Sequence, residues 1–149
     1  MTKTALLVCA FALAACGGKA KSGETTPAAD QRSLYERLGG EPAITAVVHD
    51  FCVTTKADPR ISMFFANADE PRLEKLMVEQ ICEATGGPCH YSGKTMKDSH
   101  ATMKVGEAAF AAFIDDLTKT LDKFKVGPRE KQEVLSSFNA MKADVVTVP

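Results

Sequence analysis

Thr85-Gly86-Gly87-Pro88-Cys89-His90-Tyr91-Ser92-Gly93-Lys94-Thr95-Met96-Lys97-Asp98-Ser99-His100-Ala101-Thr102-Met103 is the stretch around which the rest of the 149-residue chain can be organised. Its Gly-Gly-Pro punctuation ends one helical pattern. After an irregular run from Cys89 to Lys94, residues Met96, His100 and Met103 recur at i, i+4 and i+7, on one face of a short helix. One imidazole set among thioethers and aliphatics suits an iron porphyrin held from one side by a single nitrogen ligand against an apolar wall. The same pattern also fits a hydrogen-bonded core histidine, so this face by itself leaves two readings open.

Working outward, every long segment has helical period and none alternates, so the domain reads as all-α. Ile44, Val47, Val48, Phe51, Cys52 and Thr55 form the stripe of a helix that starts near Pro42 and stops before Asp58-Pro59. Asp69-Glu70-Pro71 opens a second helix, carrying Leu73, Leu76, Met77, Gln80, Ile81 and Ala84 as far as the Gly86-Gly87-Pro88 turn. Beyond the short His100 helix, a fourth carries Phe110, Phe113, Ile114, Leu117, Leu121 and Phe124. A fifth begins at Gly127-Pro128 and carries Val134, Leu135, Phe138, Met141 and Val145. Core packing accounts for most of these stripes, and they name no ligand.

The first residues, Met1-Thr-Lys3 followed by a short apolar run closing on Leu13-Ala14-Ala15-Cys16, read as a secretory signal over residues 1–15. The run is too short to span a bilayer. Its end resembles the bacterial lipobox, which implies lipidation of Cys16. An ordinary cleaved signal and an uncleaved anchor are the other readings. Gly17 after the cysteine, rather than aspartate, implies outer-membrane sorting and a periplasmic-side location. Residues 16–30 are rich in Gly, Ala, Ser, Thr and Pro without a large apolar side chain, which makes them a tether. Residues 31–149 are the size of one small domain. Without Lys3 the basic residues fall from 18 to 17 against 19 acidic, a formal net of −2, and no basic stripe offers phosphate neutralisation. Nucleic acid is therefore excluded as a partner. No Ser-His-acid set points to a hydrolase, and no glycine-rich phosphate loop follows a strand.

Leu34-Tyr35-Glu36-Arg37-Leu38-Gly39-Gly40, Ala57-Asp58-Pro59-Arg60 with Phe64-Phe65, Thr85-Gly86-Gly87-Pro88 with Tyr91 and Gly93, and Met96 with His100 occur in the order of the group I truncated haemoglobins. The chain resembles that family over nearly all of its length beyond the tether. The resemblance implies a shortened globin, a two-over-two helical sandwich around haem b, with His100 as proximal iron ligand. It makes the helix of Ile44 to Thr55 helix B, that of Leu73 to Ala84 helix E and the His100 helix F, with G and H following. The implied cofactor-binding set is Phe64, Phe65, Leu73, Met77, Tyr91, Met96, His100, Val105 and Phe110. In that set Phe65 stacks on the porphyrin and Tyr91 lies near a propionate. The second imidazole nitrogen is expected to donate to a backbone carbonyl, which fixes the tautomer.

On the distal side the chain departs from the family. Many members carry Phe-Tyr in helix B, with a tyrosine hydroxyl that donates to the diatomic ligand; here the pair is Phe51-Cys52. Met77 stands at the helix E position that is often glutamine, and Leu73 lies one turn before it. A thiol donates weakly and a thioether not at all. Gln80, one turn beyond Met77, is a candidate replacement donor or a rim residue. Two outcomes compete: an open apolar site that retains NO or CO better than O2, or a sixth ligand from Met77 or Cys52.

Cys82 and Cys89 bracket the glycine turn, and in an oxidising compartment a disulfide between them would add roughly 2 to 3 kcal/mol by closing a short loop. Two free thiols are the alternative. Cys89-His90 lacks the first cysteine of CxxCH, since Gly86 stands there, and Cys82, Cys89 and His90 lack a fourth zinc ligand. His49 lies off the apolar stripe and reads as a surface residue. The function expected is a haem globin binding O2, NO or CO at the envelope, anchored to membrane and served by an electron-donor protein. NO dioxygenation, peroxide turnover or redox sensing at the same iron is an alternative, and a haem-free helical interaction module is another.

Overall fold

The computed structural model describes residues 30–148, so the expected signal segment, Cys16 and all of the tether except Asp30 lie outside the described residues. Residues Gln31–Pro149 form one compact unit. The described residues are helical and contain no strand: α1 is Leu34–Leu38, α2 Gly40–Ala57, α3 Glu70–Ala84, α4 Met96–His100, α5 Glu107–Lys123, α6 Pro128–Ala140 and α7 Lys142–Val145, with a 3-10 turn at Ser62–Phe64. The main packing pairs are α2 on α3, α5 on α6, and α2 across α5, the two-over-two arrangement. The short α4 packs instead against α7.

Local chemistry sets the helix ends. Ser33 and Glu36 form a reciprocal capping box, with Glu36 N–H donating to Ser33 Oγ at 3.2 Å and Ser33 N–H to Glu36 Oε2 at 2.8 Å. Gly39 and Gly40 hold φ of 97° and 75°, left-handed values that let α2 start directly after α1. Asp69 caps α3 by accepting from Arg72 N–H at 3.2 Å, and Pro71 sits in the first turn where its missing N–H costs nothing. Gly86, at φ 83°, ends the helix.

Phe51, Leu117, Leu121 and Val134 form one buried cluster, and Ile44, Val48 and Cys52 form another; Leu38 and Met77 pack against both. Phe113 meets Phe51 edge to face at 4.9 Å and lies 5.7 Å from Phe138. Burial of a side chain such as Phe51, 2 % exposed, contributes about 1.5–3 kcal/mol.

The helices depart from the sequence expectations at four places. The short α1 and the 3-10 turn are additional elements. Phe124 is not part of the α5 stripe but caps the helix, 39 % exposed. The last helix does not run unbroken to Val145: Met141 N–H donates to Phe138 O at 3.1 Å, closing α6, and α7 resumes at Lys142 with its ammonium 2.5 Å from Glu107. The break turns α7 onto α4. Thr147 then closes the C-terminal segment on Val105, with its N–H donating to Val105 O at 2.8 Å and its Oγ1 accepting from Val105 N–H at 3.0 Å.

Candidate functional site

His100 is the last residue of α4, a helix whose first turn is fixed by Thr95: its Oγ1 accepts from Asp98 N–H at 3.1 Å and donates to Asp98 Oδ2 at 2.7 Å. His100 Nδ1 lies 2.8 Å from Met96 O. A carbonyl only accepts, so Nδ1 carries the proton and Nε2 keeps its lone pair. The ring is half-buried, and the described residues contain no cluster of three or more His, Cys, Asp or Glu side chains suited to a metal. The available chemistry is the second imidazole nitrogen, Nε2.

Met96 and Met103 are half-buried beside it, and Val105 and Phe110, each 6 % exposed, continue the apolar surface into the start of α5. The Lys142 ammonium on α7 sits 5.9 Å from the Phe110 ring centroid. Phe64 and Phe65, both half-buried, are presented by the 3-10 turn, which hangs from buried Ile61 through Phe64 N–H to Ile61 O at 3.0 Å.

The other candidate residues lie on α3. Leu73, Met77 and Gln80 lie along it, all half-buried. Cys52, 2 % exposed on α2, reaches Met77 with its thiol 3.9 Å from the thioether sulfur. Burial first, then the charges of Glu74 and Glu70, push this thiol up to about 11, so it is uncharged at neutral pH. The Gln80 amide donates one N–H to Met141 Sδ at 3.5 Å, which turns the side chain toward the α6–α7 break.

The link from α3 to α4 is constrained at three points. Cys82 and Cys89 form a disulfide with Cα atoms 5.7 Å apart. Gly87 packs where a Cβ would lie 2.5 Å from Tyr35 Cδ2 and 2.6 Å from Cys82 Sγ. Glu79 on α3 accepts from Ser92 N–H at 3.1 Å and Oγ at 2.7 Å. Tyr91, half-buried, donates its hydroxyl to Lys94 O at 2.8 Å over Gly93, and burial together with Glu79 pushes its phenol above the ordinary value. A cleft of about 490 Å³ opens here, lined by Asp69, Pro71, Arg72, Lys75, Leu76 and Ser92. Sequence reasoning singled out none of Arg72, Lys75, Glu79 or Ser92. The i, i+4 spacing of Arg72 and Leu76 was the available signal. His49 is on the surface, 3.0 Å from Glu74, and His90 lies 2.9 Å from Glu83.

These residues fit an iron porphyrin: one imidazole with its tautomer fixed by its own helix, aliphatic and aromatic side chains, and a polar rim. A profile of the bacterial-like globin family matches residues 33–147. The chain is 37 % identical over 95 residues to the group 1 truncated haemoglobin of Tetrahymena pyriformis, covering 64 % of this chain and 78 % of that protein. It is 30 % identical over 119 residues to the group 1 truncated haemoglobin of Mycolicibacterium paratuberculosis, covering 80 % and 88 %. The fold matches the crystal structure of the Tetrahymena pyriformis protein in its Fe(III) form with a TM-score of 0.74 at 32 % identity, over 77 % of this chain and 98 % of that one. It matches the 2/2 haemoglobin of Synechococcus sp. PCC 7002, solved in the cyanomet state with covalently attached haem, with a TM-score of 0.73 at 27 % identity and the same coverage. The chain belongs to the bacterial-like globin family, with the group 1 truncated haemoglobins.

Proposed function

We propose that this globin binds a diatomic gas at a haem iron ligated by His100, with NO and CO retained better than O2, and that it is held at the cell envelope by lipid on Cys16. Haem is the cofactor of the family, and when bound it supplies an iron that exchanges small ligands and single electrons. The observation that carries the reading is the 2.8 Å contact from His100 Nδ1 to Met96 O, which directs the proton away from Nε2. Met96, Val105 and Phe110 line the proximal side, and Phe64, Phe65, Leu73 and Met77 complete the apolar walls. Tyr91 stands at the polar edge.

The gas preference rests on the distal side chains. Leu73 and Met77 donate nothing, the Cys52 thiol is turned to Met77, and the Gln80 side chain is turned toward Met141 by the N–H it donates there. An uncharged thiol is also a poor iron ligand, which favours an open site over thiolate ligation. Export is supported by the apolar run before Cys16 and by the Cys82–Cys89 disulfide, which suits an oxidising compartment.

Haem-supplemented protein should show a Soret band that His100→Ala abolishes or shifts, and resonance Raman spectra should report five-coordinate ferrous iron. A colourless, folded protein after haem supplementation would sink the proposal. Labelled palmitate should enter the full chain and not Cys16→Ser; a natural protein that stays unlabelled removes the anchor.

A further inference from the structure

The helix that carries His100 is too small to fix its own direction. With 5 residues α4 is shorter than a helix that forms on propensity, and none of its side chains is fully buried. Its cap, Thr95, belongs to the helix itself, so the direction of the imidazole depends on how the flanking chain is fastened. Upstream, the chain is fastened to α3 at Cys89 and Ser92. Downstream, Met103 N–H donates to His100 O at 3.0 Å, and Lys104 takes φ of 55°, a left-handed value that residues with a side chain rarely adopt. Such a backbone persists only where its surroundings over-determine it.

Val105, the next residue, is where that happens. It is 6 % exposed, so its backbone groups need partners inside the protein. Both are met by the segment after α7: Val105 N–H donates to Thr147 Oγ1 at 3.0 Å, and Val105 O accepts from Thr147 N–H at 2.8 Å and from Val148 N–H at 3.2 Å. Thr147 therefore clasps the donor and the acceptor of one buried residue, the first with its side chain and the second with its backbone. Thr147 itself is exposed, so its substitution removes hydrogen bonds and little packing. The preceding α7 packs on α4 and is fastened by Lys142 to Glu107 at the start of α5. Residues 142–148 thus hold α4, the Lys104 turn and the first turn of α5 together.

We propose that Thr147 is a positioning residue of the haem site, clasping both backbone groups of Val105 and thereby setting the tilt of α4 and the direction in which His100 presents Nε2 to the iron. The proposal rests on the haem reading above. The bond from His100 Nδ1 to Met96 O lies within α4 and moves with the helix, so the tautomer is kept whether or not the clasp is closed. The direction of Nε2 is not kept. Without the clasp the Lys104 backbone relaxes toward the negative-φ region, and the one-turn helix before it turns with it. Groups that hold a ligand in place from outside its coordination bond act on metal affinity in this way, by orientation.

The test compares the haem-loaded full-length natural protein with Thr147→Pro, Thr147→Val and Thr147→Ser. Val146, at φ −76° and ψ 113°, already has the backbone that a following proline requires, so Thr147→Pro removes the N–H and the Oγ1 while leaving the entry to the segment intact. Thr147→Val removes the Oγ1 bond alone at nearly the same volume, and reads the clasp if the proline variant does not fold. In both variants the iron–histidine stretch, recorded by resonance Raman just after photolysis of the CO complex, should shift and broaden, and the Val105 amide should exchange with deuterium faster. Transfer of haem to an apo-globin acceptor should speed by about tenfold in Thr147→Pro. Thr147→Ser keeps the N–H and the hydroxyl and should match the natural protein throughout. An unmoved iron–histidine band in Thr147→Pro, or in Thr147→Val where the former does not fold, would overturn the proposal even if the urea midpoint falls, because the clasp would then serve stability alone. So would a Thr147→Ser protein that behaves as Thr147→Val does. A natural protein without a Soret band marks instead the failure of the haem reading, and the proposal falls with it.

Discussion

The Cys52 thiol on α2 lies 3.9 Å from the Met77 thioether on α3, and Met77 also packs against the clusters around both Ile44 and Phe51. The two sulfur side chains thus close the α2–α3 helix pair. They do so with polarizable groups that fill space and donate almost no hydrogen bonds.

Met77→Gln conserves length and flexibility while adding an amide donor on that wall. A hydrogen bond to the diatomic ligand contributes about 1 to 3 kcal/mol, so the oxygen dissociation rate should slow by about one to two decades. Carbon monoxide, a poorer acceptor, should change far less. Stopped-flow measurement of both gases checks this. Equal changes for the two would show that the substitution acts through pocket shape alone.

The Cys82–Cys89 disulfide spans a sequence separation of 7 and fastens the end of α3 to the segment leading to Tyr91. Replacing both cysteines with alanine should lower unfolding free energy by about 2–3 kcal/mol, through the added freedom of the unfolded chain. Urea unfolding of the two proteins at pH 7 measures it. Coincident midpoints would mean that the Gly86-Gly87 turn holds this corner unaided.

Much of this architecture is legible in the chain itself, and the remainder has identifiable reasons for being hidden. The boundaries of α3 follow from Asp69, Pro71 and Gly86, because capping and left-handed backbone are local chemistry. The His100 tautomer follows from a carbonyl four residues earlier. The break at Met141 is not legible, since the apolar period continues through it, and the chain is turned by α7 packing on α4 and by Lys142 reaching Glu107. Likewise α1 is too short to form on propensity and is held by Tyr35 N–H donating to Thr85 O at 2.9 Å. The partner of Gln80 lies 61 residues away and only the folded chain reveals it.

Gly87 earns its place through its neighbours rather than its dihedrals. A Cβ there would meet the Tyr35 ring and the Cys82 sulfur at 2.5 and 2.6 Å, both parts of a packed corner. Gly87→Ala should therefore destabilise by about 1–3 kcal/mol, as overpacking does. The substitution should also speed haem loss, because the displaced turn leads into Tyr91. Thermal unfolding and transfer of haem to an apo-globin acceptor check the two effects, and unchanged unfolding would show that Tyr35 moves aside freely.

Asp116 on α5 makes stability depend on pH in a direction opposite to most carboxylates. It is 2 % exposed; Oδ1 is 3.3 Å from Arg60 Nη2 and 3.5 Å from Lys119 Nζ, while Oδ2 has no donor. Burial first, then the charge of Asp58, pushes the Asp116 carboxyl above its ordinary value near 3.8, whereas hydrogen bonds from Arg60 hold Asp58 at about 2. A proton on Asp116 converts the undonated oxygen into a donor toward Asp58. Because its folded value is raised, the stabilisation from Asp116 is full below 3.8 and is lost as pH climbs through the folded value. Asp58 has the reverse sign: its contribution is present above 3.8 and is lost as pH falls through about 2. Asp116→Asn keeps a donor that cannot ionise. Its urea midpoint should exceed that of the natural protein at pH 8 and converge with it below pH 4, so the difference between the two curves grows with pH. Parallel curves across that range would mean that Asp116 is ionised throughout and that Arg60 and Lys119 outweigh its burial.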